Sequence, residues 1–297
     1  MRLATFNCEN LFARYRFREQ IQPVSPDGFT INDLAFDIYD ETEKQITAKA
    51  IREVNADVIA LQEVESLPVL DRFNSRYLAS MRYRHRIVID SHDSRGIDVA
   101  ILSRHEIVAA RSHRHERNAQ NTAFLFSRDC LEVEIDVDDK LLVLYVNHFK
   151  SMMEGRAETH QRRLEQAQRV ADIVDQRWRA RNYQGNFAVL GDFNDYPGQG
   201  TALDILLAHP ELVNVVERMP EADQWTHYYA GAGEYRQLDY LLVSRSLGNA
   251  NPQPPNIVRK GLPYRADRYA GQRFDGVGED RPKASDHAPL SMELTLA

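Results

Sequence analysis

The sequence predicts an α+β fold in which two packed β-sheets carry helices on their outer faces. Three observations predict it: strand-like segments outnumber helical ones, hairpin patterns mix with helix-to-strand crossovers, and no linker divides the chain. One domain spanning residues 1–297 is therefore expected. Hydrophobic residues at 43% and charged residues at 27% suit a globular chain with a sizeable core.

The elements follow in order. Leu3-Ala4-Thr5-Phe6 reads as a first strand that delivers Asn7. The stretch from Arg14 to Asp40 holds Pro23, Pro26 and Gly28, which marks an excursion. Glu43 to Val54 reads as a helix, with Ile46, Ala50, Ile51 and Val54 on one face. Asn55-Ala56-Asp57 breaks it and feeds the apolar strand Val58-Ile59-Ala60-Leu61, which delivers Gln62 and Glu63. Ile97 to Leu102 is a further strand behind Arg95-Gly96. Leu131 to Val137 alternates with period two, and Asp138-Asp139 supplies the turn into Lys140 to Val146. That second arm delivers Asn147 and His148. Ala157 to Arg181 is the longest helical pattern, with a stripe of Leu164, Ala167, Val170, Ala171, Val174 and Trp178. After Gly185, the strand Phe187 to Leu190 ends in Gly191-Asp192-Phe193-Asn194-Asp195. Leu238 to Val243 is another strand, and Leu247 to Pro282 reads as a long loop rich in Pro, Gly, Arg and Tyr. Ser285-Asp286-His287 precedes the closing apolar run Ala288 to Leu296.

Bulk properties exclude several classes. No apolar window reaches 18 residues, so a membrane-spanning helix is not expected, and no exposed apolar hairpin or basic amphipathic helix points to stable membrane association. The first residues lack the apolar core of a signal peptide, so the expectation is a cytoplasmic chain or an already processed one. Cys8 and Cys130 make no disulfide framework and no zinc spacing, and read as buried fillers. A net charge of −7 argues against coating nucleic acid by bulk electrostatics, but leaves room for a local basic rim. Two candidates for a rim are Arg111, Arg114 and Arg117 with His113 and His115, and Arg14, Arg16 and Arg18 alternating with Tyr15 and Phe17. Each reads equally as a solvated face. No protein partner is called for, and a monomer is expected.

The chemistry lies at the strand ends. A carboxylate such as Glu63 behind a fully apolar strand is costly to bury unless a cation meets it, and magnesium favours oxygen ligands. Asp192 and Asn194 are two apart, so they share one side of an extended turn; the carboxylate can orient and deprotonate water, and the amide can hold a phosphate oxygen or that water. His148 can stabilise a phosphate oxygen as charge builds. His287 needs a carboxylate to fix its tautomer, and Asp239 is the candidate. Apolar strands converging on Asn, Glu, His and Asp make a site for a hard cation and a phosphate.

Thr5-Phe6-Asn7, Leu61-Gln62-Glu63-Val64, Val146-Asn147-His148-Phe149-Lys150-Ser151, Gly191-Asp192-Phe193-Asn194-Asp195, Leu238-Asp239-Tyr240 and Ser285-Asp286-His287-Ala288-Pro289-Leu290 occur in that order. Their order and spacing, from residue 5 to 290, resemble the endonuclease/exonuclease/phosphatase superfamily. The resemblance implies a deoxyribonuclease-I-like four-layer α/β/β/α sandwich of two packed mixed sheets, with the site at one end. It implies phosphoester hydrolysis with Mg2+ or Mn2+. Carried over by position, Glu63 is the main metal ligand with Asn7 beside it, and Asp286 is a second acidic ligand or near-ligand. Asp192 positions or activates the attacking water, and Asn194 helps to hold the phosphate. Asp239 orients His287, which contacts the phosphate as acid or stabiliser, while His148 binds it from the opposite side. Arg128 and Asn147 fall at substrate-binding positions. The string Asn147-His148-Phe149-Lys150-Ser151 looks most like bacterial extracellular-type nucleases. The expected activity is therefore a metal-dependent nuclease acting on DNA, with Tyr264 and Tyr269 of the long loop as stacking candidates. The alternative is a phosphatase or phosphodiesterase acting on a small or lipid headgroup such as an inositol phosphate or sphingomyelin. A catalytically dead binding module is disfavoured, because every expected site position carries a suitable residue.

Overall fold

The structure, a computed structural model, describes residues 1–17 and 34–297. Of the basic stretch at Arg14, Arg16 and Arg18, the first two side chains and the whole of the third lie outside the described residues. The chain runs through β1 (Arg2–Leu11), β2 (Ala13–Phe17), β3 (Leu34–Ile38), α1 (Glu41–Val54), β4 (Val58–Val64), α2 (Leu67–Tyr77), β5 (His85–Val88), β6 (Asp98–Ser103), β7 (Glu106–Ser112), β8 (Leu131–Val137) and β9 (Lys140–His148). It continues through α3 (His160–Trp178), β10 (Asn186–Asp192), α4 (Asp204–Leu207), β11 (Leu212–Asn214), β12 (His227–Tyr229), β13 (Glu234–Arg236), β14 (Asp239–Ser244), α5 (Arg245–Ala250), β15 (Asn256–Ile257) and β16 (Leu290–Glu293).

Two six-stranded sheets form, with strand orders β15-β16-β1-β4-β6-β5 and β11-β14-β10-β9-β8-β7. Both are mixed: β1 and β4 run parallel, as do β9 and β10, while their outer neighbours are antiparallel. Side-chain alternation divides each strand between two cores. Val58 and Ala60 of β4 meet Leu144, Val146, Ala188, Leu190 and Leu241 between the sheets. Ile59 and Leu61 of β4 point the other way, onto Ile46, Ala50, Ile51 and Val54 of α1 and Val69, Leu70 and Phe73 of α2. On the opposite outer face, Val143, Tyr145, Phe187, Val189 and Tyr240 pack on Ala167, Val170, Val174 and Trp178 of α3. The result is the four-layer α/β/β/α sandwich. No helix among the described residues is long and apolar enough to cross a membrane.

Several elements differ from the sequence expectation. The helix expected over 157–181 is α3 at 160–178, because Ala157-Glu158-Thr159 forms a turn in which Thr159 Oγ1 donates to the Gly155 carbonyl at 2.6 Å. The loop expected over 247–282 contains most of α5 and all of β15. Not expected at all is α2, whose short stripe of Val69, Leu70 and Phe73 is apolar only over two turns; Pro68 starts it.

Candidate active site

Strand register builds the site. In the second sheet Asp192 of β10 lies opposite His148 of β9 on one side and Asp239 of β14 on the other. Alternation that sends Leu190, Val146 and Leu241 into the inter-sheet core sends Asp192, His148 and Asp239 to the same side, past the end of that core. β10 and β9 approach closely one residue earlier: Gly191 has φ +132°, and a Cβ there would lie 1.9 Å from the Asn147 carbonyl oxygen. In the first sheet the side chain of Asn7 points between the sheets like Leu3, and its Nδ2 donates across to Asp192 Oδ2 at 3.0 Å.

Two neighbouring irregularities present Glu9 and Glu63. The β1–β4 register shifts between Asn7 and Leu11, with Glu9 and Asn10 in the left-handed region at φ +46° and +63°. The β4–β6 register shifts between Gln62 and Val64, with Glu63 at φ +63°. Bulges of this kind re-aim side chains at sheet ends. The two are locked together, since Asn10 N donates to Glu63 Oε2 at 3.0 Å.

The groups then converge. His287 Nδ1 lies 2.8 Å from Asp239 Oδ2, and its Nε2 lies 3.7 Å from Asp192 Oδ2 and 4.0 Å from Asp286 Oδ1. His148 Nε2 stands between Asp192 Oδ2 at 3.5 Å and Glu63 Oε1 at 4.0 Å. Asp192 Oδ1 accepts from Asn194 N at 2.8 Å, and Oδ2 accepts from Asn194 Nδ2 at 3.1 Å. Ser285 ties the chain ends, donating to the Asn7 carbonyl at 2.8 Å and accepting from His287 N at 3.0 Å.

Burial and charge set the protonation states. Burial pushes Asp192 up to about 7, and the neighbouring Asp239 adds to this against the pull of His287. Burial works against the His287 imidazolium, but Asp239 and Asp192 hold its pKa well above the usual range. His148 goes the other way: burial, then the charges of Arg128 and His287, keep it neutral. Glu63 is raised by burial and by Asp286. Asp286 is strongly lowered, because His227, His287 and Lys283 outweigh its burial. A carboxylate of raised basicity beside a stable imidazolium can take up one proton while stabilising negative charge.

Asn7, Glu63, His148, Asp192, Asn194, Asp239, Asp286 and His287 are thus brought together. Asn147 is not. It has the parity of Tyr145, faces α3, is fully buried and donates through Nδ2 to the Tyr145 carbonyl, so the expectation that it meets substrate is corrected. Arg128 lies beneath the rim, 3% exposed, with its guanidinium donating to Asp93 at 3.1 Å and to the Phe149 carbonyl. It acts on the site by charge and by bracing Phe149, whose carbonyl also accepts from Asn194 Nδ2 at 3.2 Å, rather than by open contact. Three residues escape the sequence reading. Arg95 shares Asp93 with Arg128 and bears electrostatically on Glu63 and His148. Glu9 accepts from Asp286 N at 2.9 Å and pairs with Lys283 at 2.8 Å. His227 Nε2 lies 3.8 Å from Asp286 Oδ2. None ends a regular apolar strand, so the strand-end signal misses them.

Glu63, Asp286 and Asn7 offer oxygen donors, the kind that a hard cation takes. The charge of Asp286 makes Glu63 costlier to ionise, the imbalance that a divalent ion removes, so these residues suit a divalent cation. His227, Asp286 and His287 also place ligand atoms within 4.8 Å of one another.

Comparison with known proteins agrees with this architecture. The chain is similar over 99% of its length to 71% of an endonuclease/exonuclease/phosphatase from Beutenbergia cavernae, at 20% identity and TM-score 0.64. It is similar over its whole length to 94% of the human Nocturnin catalytic domain with bound sulfate anion, at 14% identity and TM-score 0.63. It is also similar over 99% of its length to 98% of D. rerio TDP2 complexed with single strand DNA product, at 12% identity and TM-score 0.63. No curated protein matches it in sequence. A family model matches residues 2–269, and with the two-sheet fold this shows that the chain belongs to the Endonuclease/Exonuclease/phosphatase family, a family of phosphoester hydrolases.

Proposed function

We propose that this chain is a divalent-metal-dependent phosphodiesterase that hydrolyses nucleic acid, DNA foremost, by direct attack of water. The observation that carries this reading is the His287 imidazole, held 2.8 Å from Asp239 and facing Asp192 and Asp286, with His148 and Glu63 opposite. As the water oxygen bonds to phosphorus the bond to the leaving oxygen breaks, and the His287 imidazolium, a preorganised donor, meets the oxygen on which charge develops and gives the leaving oxygen its proton. Asp192, whose basicity near neutrality suits a general base, takes the proton of the attacking water. Asn7 and Asn194 fix its rotation by donating to it. Neutral His148 offers its Nε2 proton to the phosphate from the Glu63 side. A divalent cation supplies charge neutralisation and polarisation of the phosphoryl group, and Glu63, Asp286 and Asn7 would hold it. All of these side chains come from one chain, so a monomer suffices.

Nucleic acid is favoured by the rim. The segment carrying Arg114 and Arg117 packs on the loop of Arg95: Phe124 stacks on His92 with ring centroids 3.8 Å apart, Arg117 lies 4.6 Å over Phe124, and Arg114 donates to the Asp90 carbonyl. Arg95 of that loop bears electrostatically on Glu63 and His148, and the D. rerio neighbour is a complex with single strand DNA product. The test is a panel of plasmid, single-stranded DNA, RNA, inositol phosphates and sphingomyelin. EDTA should silence turnover and Mg2+ or Mn2+ restore it, and DNA affinity should fall steeply with salt. Turnover of a headgroup substrate with none of DNA or RNA would refute the nucleic-acid assignment.

A further inference from the structure

Beside the catalytic dyad lies a second concavity that the phosphoryl chemistry leaves unused. It has a volume of about 490 Å³ and is lined by Tyr196, Trp225, Tyr235, Arg236, Gln237 and Arg268 among others. That size falls in the range of small-molecule pockets, about 300–1,000 Å³. Its wall is continuous with the active centre. Gln237 lies two residues before Asp239, and Thr226, next to Trp225, accepts through Oγ1 from Asp239 N at 3.0 Å while its carbonyl accepts from Ala288 N at 2.7 Å.

Two groups of the lining lack a hydrogen-bond partner, the Gln237 Oε1 acceptor and the Arg236 Nε donor. Gln237 is only 5% exposed, and its Oε1 has no partner; its Nε2 reaches the Asp239 carbonyl only at 3.5 Å. A buried amide with an idle acceptor is costly unless a ligand completes it. Around it stand cations laid on rings. Arg236 lies 4.7 Å over Tyr196, and Arg268 lies 5.7 Å over Tyr235 while donating to the Ala222 carbonyl. Arg236 also approaches Glu234 at 3.2 Å, an exposed pair of little worth. An amide edge, flat guanidinium and aromatic surfaces, and positive charge are the complement of a nucleotide: base edge, base face and phosphate.

Resting on the nuclease reading above, we propose that this pocket holds the base and flanking phosphate of the nucleotide next to the scissile bond, with the Gln237 amide reading the base edge. Free mononucleotides, DNA and RNA share this unit, and the test separates them. In a Trp178→Phe background Trp225 is the one remaining tryptophan. Titration with 5′-mononucleotides should then change its fluorescence saturably, whereas inorganic phosphate and ribose 5-phosphate should not. Gln237→Ala should raise the mononucleotide Kd at least fivefold. It should also lower, about tenfold, the ratio of kcat/KM for oligonucleotide to kcat/KM for a base-free chromogenic phosphodiester, through KM rather than kcat. DNA and RNA oligonucleotides run side by side report which sugar the pocket accepts. Arg236→Ala, at the half-exposed rim, is the second variant should Gln237→Ala fold poorly, and should lower the same ratio. No saturable response to mononucleotides, or an unchanged ratio in both variants, overturns the pocket assignment. Mononucleotide binding without cleavage of any nucleic acid would instead overturn the nuclease reading and leave the pocket standing.

Discussion

Asp239→Asn tests the site at its most consequential contact. The 2.8 Å hydrogen bond from His287 Nδ1 to Asp239 Oδ2 is buried, and the carboxylate is the strongest factor holding the imidazolium. Asn removes the charge and keeps the shape, so the pKa of His287 falls and a neutral ring, a weaker donor to the phosphate, gains on the imidazolium. Removing one preorganised donor of this kind costs about 3–4 kcal/mol, a hundred- to a thousandfold in kcat. The fold should survive. Asp239 Oδ1 already lacks a hydrogen-bond partner, so the new amide leaves one unsatisfied group, worth about 1–3 kcal/mol. The assay is kcat on a chromogenic phosphodiester with Mg2+ or Mn2+, paired with ring-15N titration of His287 in the cation-free protein. Activity within threefold of the parent, or a His287 pKa that does not fall, would refute the dyad.

Other outcomes follow from the same geometry. Glu63→Gln should cut turnover at least a thousandfold while leaving Tm unchanged or higher without metal, because a buried carboxylate facing Asp286 is traded for a neutral amide that can still accept from Asn10 N; a lower Tm with activity retained would contradict this. Asp192 should titrate near 7 in the cation-free protein, and a carboxyl-13C titration should show Asn7→Ala moving that value upward. The sign follows from the hydrogen bond: it favours the ionised form, so losing it raises the pKa, and turnover needing the carboxylate falls off at higher pH than before. Replacing Arg111, Arg114 and Arg117 together by Ala should weaken cleavage of long DNA more than that of the chromogenic phosphodiester, and flatten the salt dependence by about one unit of slope for each phosphate no longer neutralised. Equal effects on both substrates would remove the rim from substrate binding.

Much of this was legible because the signals are local. An apolar run followed by Gly191-Asp192-Phe193-Asn194 or by Gln62-Glu63 reads as a buried strand ending in polar groups, and the strands found there, β10 and β4, run a few residues into those groups. The parity of β9 also lies in the sequence: Val146 and His148 share one face and Asn147 takes the other, so the alternation alone implies its burial against α3. What resists a linear reading is contact between segments far apart in the chain. Arg95, Glu9 and His227 gain their places from loops and bulges whose path depends on what packs beside them. By itself the sequence determined the family, the alternation of each strand and the residue types at their ends, because these depend on nearest neighbours along one backbone. Only the tertiary structure decided which carboxylate faces which imidazole, and hence that His287 is charged and His148 neutral: electrostatic energies depend on distance and burial across the two sheets, and neither is set by position in the chain.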